Sequence, residues 1–174
     1  MPKIKFNHHE LLPNDLTLVI NGRRNAGKTT LLFKLLTTPG VLDYNNLMFY
    51  TQTDQQHLCK FLKHGFENNL NKQAINNLCN LYEHDDDFDT DNIEGLCKTL
   101  ATKYPMTIER DHPITFQISS NINDFELRSL DRTKKNLIVF DDCSSNKDQH
   151  IQTTFFQNGR HYSCACIYLT HRFY

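Results

Sequence analysis

The stretch LTLVINGRRNAGKTTLLFKLL, residues 16–36, decides the fold. It begins with an apolar, β-branched run that predicts a buried strand over residues 16–21. Residues 28–36 have the apolar spacing of a helix, which we expect to end before Pro39 and Gly40. A glycine-containing loop joins the two elements. This order of strand, loop and helix is typical of the start of a parallel α/β fold.

The loop itself fits a phosphate-binding pattern. Residues 22–29, GRRNAGKT, match GxxxxGK[ST] between a predicted strand and a predicted helix. Glycines let the backbone wrap around an anion, and backbone N–H groups at a helix N-terminus bind phosphate. We expect Lys28 to contact the β- and γ-phosphates and the Thr29 hydroxyl to bind Mg²⁺. The expected cofactors are therefore ATP and Mg²⁺. The predicted cofactor-binding residues are Gly22, Asn25, Ala26, Gly27, Lys28, Thr29 and Thr30.

The rest of the chain continues the alternation of strands and helices. Strands are predicted at residues 47–51, 114–119, 136–140 and 164–169, and helices at residues 54–64, with Asp54 as the cap, and 147–157. The Asn-rich segment 65–113 has two runs of helical spacing, so we interpret it as a helical insertion. The pattern predicts one domain over residues 1–174, with a mainly parallel sheet flanked by helices on both faces.

Two acidic residues follow the most strand-like run of the chain, NLIVF at residues 136–140. The carboxyl ends of parallel strands meet at one edge of a sheet, so we expect these acids to face the phosphate loop. Asp141 is the predicted Mg²⁺ ligand, and Asp142 is positioned to orient or deprotonate an attacking water. The alternative is that both aspartates only cap the end of the strand.

Composition limits the class of protein. The chain has 174 residues, of which 39% are apolar, and this excludes a disordered protein. Lys and Arg total 19 against 20 Asp and Glu, and the net charge of −1 argues against a generally basic nucleic-acid coat. No apolar run approaches the ~20 residues needed to cross a bilayer, and the first residues lack a secretory signal. We therefore expect a soluble, intracellular protein with no membrane partner.

Two groups of potential metal ligands have simpler explanations. The six cysteines form no CxxC pair, which favours reduced, buried thiols over a disulfide or a zinc site. Cys164 and Cys166 are two residues apart, so a strand would point both thiols to one face. The acidic run at residues 85–91 has Thr90 and Leu96 where a calcium loop needs Gly and Glu, which favours a solvated turn.

Four segments, taken in order, resemble the genome-packaging ATPases of large double-stranded DNA viruses, of the poxvirus type, and of Polinton-like elements, in the FtsK/HerA superfamily. They are NGRRNAGKTTLL, NLIVFDDCSS, FFQNGRH and IYLTHRFY, and the resemblance covers residues 16–53 and 136–174. It implies a RecA-like fold in which the strand ending at Thr170 lies between the phosphate-loop strand and the strand ending at Asp141. It also implies a homo-oligomeric ring that hydrolyses ATP to drive double-stranded DNA into a capsid, with capsid or portal components as partners.

The resemblance also implies roles for individual residues. The catalytic residues that it implies are Lys28, Asp142, Arg160 and Thr170. Arg160 corresponds to an arginine finger and Thr170 to a γ-phosphate sensor, whereas His171 stands where relatives often have Gln. The implied place of action is the site of virion assembly, in the nucleus or the cytoplasm of the host cell, or the virion itself. Such domains usually continue beyond the position of Tyr174, which leaves a truncated product, an isolated fragment and a minimal form as alternatives.

Two other functions are compatible with a phosphate-binding loop: a small nucleoside or nucleotide kinase, and a nucleotide-binding scaffold without hydrolysis. Such kinases usually have an arginine-bearing lid and a second substrate pocket. The order of Asp142, Arg160 and Thr170 suits water activation better. A scaffold would keep phosphate binding and lose turnover.

Overall fold

The computed structural model of the chain describes residues 4–53, 56–84, 89–143 and 149–171. The elements, in chain order, are β1 (Thr17–Asn21), α1 (Lys28–Thr37), β2 (Asn46–Tyr50), α2 (His57–Glu67), α3 (Lys72–His84), α4 (Ile93–Lys103), β3 (Thr115–Ser119), β4 (Asn136–Phe140), α5 (His150–Asn158) and β5 (Cys164–Thr170). Short 3₁₀ turns lie between several of these elements. Each strand predicted from the sequence is present to within about one residue at either end, and β4 has the predicted bounds.

The five strands form one sheet in the order β1-β5-β4-β2-β3, and every neighbouring pair is parallel. The chain is thus an α/β protein with a parallel sheet, as expected, and β5 lies between β1 and β4 as the resemblance implied. The continuous apolar runs of β4 and β5 explain their central positions, because strands in such positions are buried on both faces. Asn21 pairs with Thr170 and Phe140 pairs with Tyr168, so these three strands end at nearly the same level.

Helices cover both faces of the sheet, as predicted. Helices α1 to α4 pack on one face, where Phe61 and Ile75 join a core that includes Leu47 and Val139 of the sheet. The other face carries α5 and three 3₁₀ turns, and its core contains Phe140 and the Phe155 side chain of α5. The helices of the predicted insertion, α3 and α4, therefore belong to the same layer as α1 and α2.

Helix α2 differs from its predicted bounds of 54–64. It begins at His57 and ends at Glu67, and Asp54, the predicted cap, lies outside the described residues. The helix continues through Gly65 because this residue packs against α3. A Cβ atom at Gly65 would lie 2.6 Å from Cγ1 of Ile75, which only the absence of a side chain avoids.

Helix α5 also departs from its prediction of 147–157. Residues 147 and 148 are outside the described residues, and the described helix begins at His150. The helix ends at Asn158, one residue past its predicted end, and Gly159 is its C-cap. The chain continues in a 3₁₀ turn, Gly159–Tyr162, and its direction changes at Ser163, which has a left-handed conformation with φ of 51°. Residues 85–88 of the predicted acidic turn are outside the described residues as well.

The cysteine prediction is confirmed, because all six thiols are buried and none of these described residues is in a disulfide. Cys164 and Cys166 both belong to the core on the α5 face of the sheet, as the spacing predicted. Burial raises the pKa of the Cys143 thiol to about 12, which keeps it protonated at neutral pH. Every helix in the described parts of the chain is too short or too polar to cross a membrane.

Candidate phosphate-binding site

A cleft of about 490 Å³ lies at the edge of the sheet where β1, β4 and β5 end. It is lined by the phosphate loop and by residues that follow three strands, so one edge of the sheet collects polar groups from distant parts of the chain. The lining residues are Arg24, Asn25, Ala26, Gly27, Lys28, Thr29, Thr30, Thr53, Gln56, Asp141, Asp142 and His171. Both predicted acids and all of the predicted loop residues except Gly22 therefore meet in one place. Gly22 lies outside the lining, and its carbonyl accepts a hydrogen bond from Lys28.

The phosphate loop turns sharply into α1. Asn25 and Gly27 have left-handed conformations, with φ of 62° and 76°, and Ala26 N–H donates to the carbonyl of Arg23 at 3.2 Å. Among the described residues, no side chain caps the N-terminus of α1, and its first turn carries no acid. The first backbone N–H groups of a helix have no partner within the helix, so those of residues 28–30, which line the cleft, are candidate donors for an anion.

Lys28 is the first residue of α1, and its side chain is held in place. Its Nζ atom donates to the carbonyls of Gly22 at 2.8 Å and Arg23 at 2.9 Å. It also lies 2.9 Å from Nδ1 of His171. With 8% of its surface exposed, the ammonium group is fixed at the rim of the loop rather than extended into solvent.

Asp141 lies directly after β4 and is largely buried, with 7% of its surface exposed. Its N–H donates to the carbonyl of Tyr50 at 2.9 Å, and its Oδ2 atom accepts a hydrogen bond from the Thr51 hydroxyl at 3.4 Å. Burial raises the pKa of this carboxyl, and the neighbouring charge of Asp142 raises it further. A buried carboxylate with one side-chain donor retains lone pairs that a divalent cation can use.

Asp142 adopts a left-handed conformation, with φ of 55°, which is uncommon for a residue with a side chain. The turn points its carboxylate into the cleft, where 42% of the side chain is exposed. Its Oδ1 atom lies 3.7 Å from Nε2 of His171. Asp142 is therefore open to a ligand or a water molecule, in contrast to the buried Asp141.

Two residues that the resemblance assigned to catalysis lie outside the lining of the cleft. Thr170 is buried, and its carbonyl accepts a hydrogen bond from the N–H of Gly22 at 3.3 Å, so it joins β5 to the phosphate loop. Arg160 is exposed, and its Nε atom lies 3.4 Å from Nε2 of His161. Arg160 precedes β5, whereas the cleft follows it. Seven residues of strand separate the two places by roughly 20 Å, so Arg160 does not reach the cleft of its own chain.

Several cleft residues were not identified from the sequence. Thr53 and Gln56 follow β2. They could have been identified from the sequence, because β2 is a strand of the same parallel sheet and its carboxyl end lies at the same edge. Arg24, which lies inside the loop motif, also lines the cleft. His171 had no assigned role, yet its ring lies between Lys28 and Asp142.

The donor set fits a magnesium–nucleotide complex better than a metal bound by the protein alone. Within the described residues, no group of three or more His, Cys, Asp or Glu side chains could hold a metal ion. Mg²⁺ in nucleotide sites is typically bound through one or two carboxylates together with substrate phosphates and water. Asp141 and Thr29, which both line the cleft, are the residues that would supply the protein side of such an arrangement.

A larger cavity, of about 720 Å³, lies on the other face of the sheet between α5 and the loop after β3. Its walls include Phe125, Arg132 and Tyr162, and the guanidinium of Arg132 is 4.0 Å from the centre of the Tyr162 ring. None of the predicted phosphate-binding or acidic residues lines it. Size alone is therefore a poor guide to the chemistry of this molecule.

Comparison of the chain with protein-family models, curated proteins and solved structures finds no match.

Proposed function

We propose that the chain is an ATP-hydrolysing motor with a RecA-like P-loop fold, and that it moves double-stranded DNA into a viral capsid. One observation carries the proposal: the loop ending in Lys28 and Thr29 shares a single cleft with Asp141 and Asp142. The position of β5 between the strands that precede these two groups supports the RecA-like assignment. The resemblance of four sequence segments to packaging ATPases supports the choice of DNA as substrate.

Each cleft residue has a distinct role in this proposal. The backbone N–H groups at the start of α1 and the ammonium of Lys28 bind the β- and γ-phosphates. Thr29 and Asp141 hold Mg²⁺, which neutralises charge on the phosphates when it is bound. Asp142 accepts a proton from the water that attacks the γ-phosphorus, as the bond to the leaving ADP breaks.

The proposal includes a ring of identical chains, as the resemblance implies, and such a ring would give Arg160 a role. Within the described residues, Arg24 is the only arginine that lines the cleft. Arg160 lies beyond the opposite ends of the strands and is exposed, so it can act on a nucleotide only in a neighbouring chain. A guanidinium that reaches a neighbouring site stabilises the charge of the transition state and couples hydrolysis between chains.

The test is hydrolysis of ATP by the purified chain, measured with and without double-stranded DNA and with native mass measured alongside. Stimulation by double-stranded DNA, together with a ring in the presence of an ATP analogue, is the expected result. Phosphoryl transfer to a nucleoside would instead identify a small kinase. Nucleotide binding without turnover would identify a scaffold, and either result would overturn the motor proposal.

A further inference from the structure

The Lys28 ammonium has three N–H donors, and the chain supplies three acceptors for them. Two are the backbone carbonyls of Gly22 and Arg23, at 2.8 and 2.9 Å. The third is Nδ1 of His171, at 2.9 Å. A phosphate can therefore receive a hydrogen bond from Lys28 only by replacing one of these acceptors or by sharing a donor with it.

His171 is the acceptor that can leave. The Gly22 and Arg23 carbonyls belong to the loop that must itself bind phosphate, and Gly22 is tied to β5 through its N–H. His171 presents a side chain from the residue after β5, and 36% of that side chain is exposed in the cleft. Rotation about its side-chain torsions separates Nδ1 from Lys28 without moving the sheet.

The contact with Lys28 determines which nitrogen of the neutral His171 ring carries the proton. Because an ammonium group only donates, Nδ1 of His171 must be an acceptor, and in the neutral ring the proton is then on Nε2. Nε2 is the atom that faces Oδ1 of Asp142, at 3.7 Å. This distance is longer than a direct hydrogen bond, but a small rotation of the ring would bring the N–H within reach of the carboxylate.

We propose that His171 is a positioning residue that competes with phosphate for Lys28 and, once displaced, hydrogen-bonds to Asp142 and orients it. The ligand class is a polyphosphate, because Lys28 and His171 share the cleft with the GRRNAGKT loop and the start of α1, whose backbone N–H groups can bind phosphate oxygens. The competition requires only phosphate binding in the cleft. The second step, orientation of Asp142, rests on the proposed hydrolytic function.

The first test observes the ring directly in the full chain. Nitrogen NMR of ¹⁵N-histidine-labelled protein distinguishes a ring nitrogen that carries a proton from one that accepts a hydrogen bond, and His171→Gln identifies the His171 signals. We expect Nδ1 of His171 to report an acceptor contact in the wild-type protein. The contact should be lost in Lys28→Ala and on addition of Mg²⁺ and ADP. Identical His171 signals in wild-type and Lys28→Ala proteins would overturn the proposal.

The second test separates competition from orientation by choosing which ring nitrogen is replaced. His171→Asn keeps an acceptor near the position of Nδ1, whereas His171→Gln reaches farther, toward the position of Nε2. We expect His171→Ala to bind ADP about fivefold more tightly than the wild type, because the net free energy of one hydrogen bond corresponds to about that change in affinity. His171→Asn should bind ADP with the affinity of the wild type. Weaker ADP binding in His171→Ala would show that His171 assists phosphate binding, and it would overturn the competition.

Orientation of Asp142 is tested on kcat. We expect kcat for ATP to fall about tenfold in His171→Ala and to recover in part in His171→Gln but not in His171→Asn. If all three variants had the kcat of the wild type, orientation of Asp142 by His171 would be excluded. His112→Ala is the matched control, because it removes an exposed histidine that does not line the cleft. If the wild-type protein binds ADP tightly but does not hydrolyse ATP, the proposed function is refuted. The ADP affinities and the NMR signals would still show whether His171 and phosphate compete for Lys28.

Discussion

Thr51 and Asp141 follow neighbouring strands, and the hydroxyl of Thr51 donates to Oδ2 of Asp141 at 3.4 Å. This is the only hydrogen bond from a side chain to the Asp141 carboxylate in the described residues. Burial is the larger influence, and it raises the pKa of the carboxyl above its usual value of 3.8. The fold therefore holds a charged group at a place where charge is costly, which is expected of a residue kept for metal binding.

Replacement of Asp141 by Asn should stabilise the fold at neutral pH. A carboxyl with a raised pKa binds its proton more tightly in the folded state than in the unfolded state. Its contribution to the free energy of unfolding therefore falls as the pH rises from 3.8 through the folded pKa. Above that pKa the full cost of the buried charge remains, and Asp141→Asn removes it. We expect a higher free energy of unfolding in urea at neutral pH, together with loss of Mg²⁺-dependent nucleotide binding.

The control variant, Asp131→Asn, should change the free energy of unfolding in the opposite direction. Hydrogen bonds from Thr133 lower the pKa of Asp131, so Asp131→Asn should lower stability slightly at neutral pH. If Asp141→Asn were the less stable of the two variants, burial would not dominate at Asp141.

Lys28→Ala should weaken nucleotide binding about 10- to 100-fold, the range expected for the loss of charge-assisted hydrogen bonds. Titration calorimetry with ADP and Mg²⁺ measures the change. Lys34→Ala removes an exposed lysine from the same helix and should leave the affinity unchanged. Equal affinities for ADP in the two variants would show that the phosphates bind elsewhere on the chain.

Asp142→Asn should bind ATP as tightly as the wild type but hydrolyse it about 100-fold more slowly or worse, because the amide cannot accept a proton from water. Release of phosphate under single-turnover conditions gives the rate of the chemical step. Asp111→Asn, at an exposed position, is the control. Undiminished hydrolysis in Asp142→Asn would exclude it as the base.

Arg160→Ala should reduce hydrolysis about 1,000-fold without weakening nucleotide binding, the effect expected for an arginine finger. Mixing it with Asp142→Asn should restore part of the activity, because some interfaces then combine an intact Arg160 with an intact Asp142. Arg110→Ala, at another exposed position, should hydrolyse ATP at the wild-type rate. Mixed proteins with no more activity than their components would rule out action between chains.

Stability should decrease as pH rises above 9. Burial raises the pKa of Cys79 to about 12 and that of Cys97 to about 11, whereas the same thiols ionise near 9.0 once the chain unfolds. The unfolded state therefore loses protons first, and each such thiol lowers the unfolding free energy by up to about 1.4 kcal/mol per pH unit. Urea titrations at several pH values should show a smaller decrease in Cys79→Ala than in the wild type.

The sequence predicted the strands and the phosphate loop well because their signals are local. NLIVF is apolar throughout and gives β4 its observed bounds, and the loop motif depends on eight consecutive residues. Helix α2 extends three residues past its predicted end, because Gly65 packs against Ile75 of α3 and the helix continues through it. Propensity gave way to packing at that position.

The contacts of His171 could not be predicted from its neighbours in sequence. They depend on the order of the strands, which brings the residue after β5 beside Lys28, 143 positions earlier in the chain. They also depend on the left-handed backbone of Asp142, which turns its carboxylate toward the ring. A strand can be read from its own residues, whereas a contact between strand ends requires the topology.

The strand that carries the phosphate loop lies at the rim of the sheet. In the part of the chain that the structure describes, β1 has β5 as its one strand neighbour, and 49% of Val19 is exposed. By contrast, β4 is paired on both sides, with β2 and β5. Local opening of β1 has to break one ladder instead of two, so its amide hydrogens should exchange sooner than those of β4. Transient fraying of the sheet should therefore loosen the loop half of the cleft before it displaces the acidic half, which follows a strand held by two ladders.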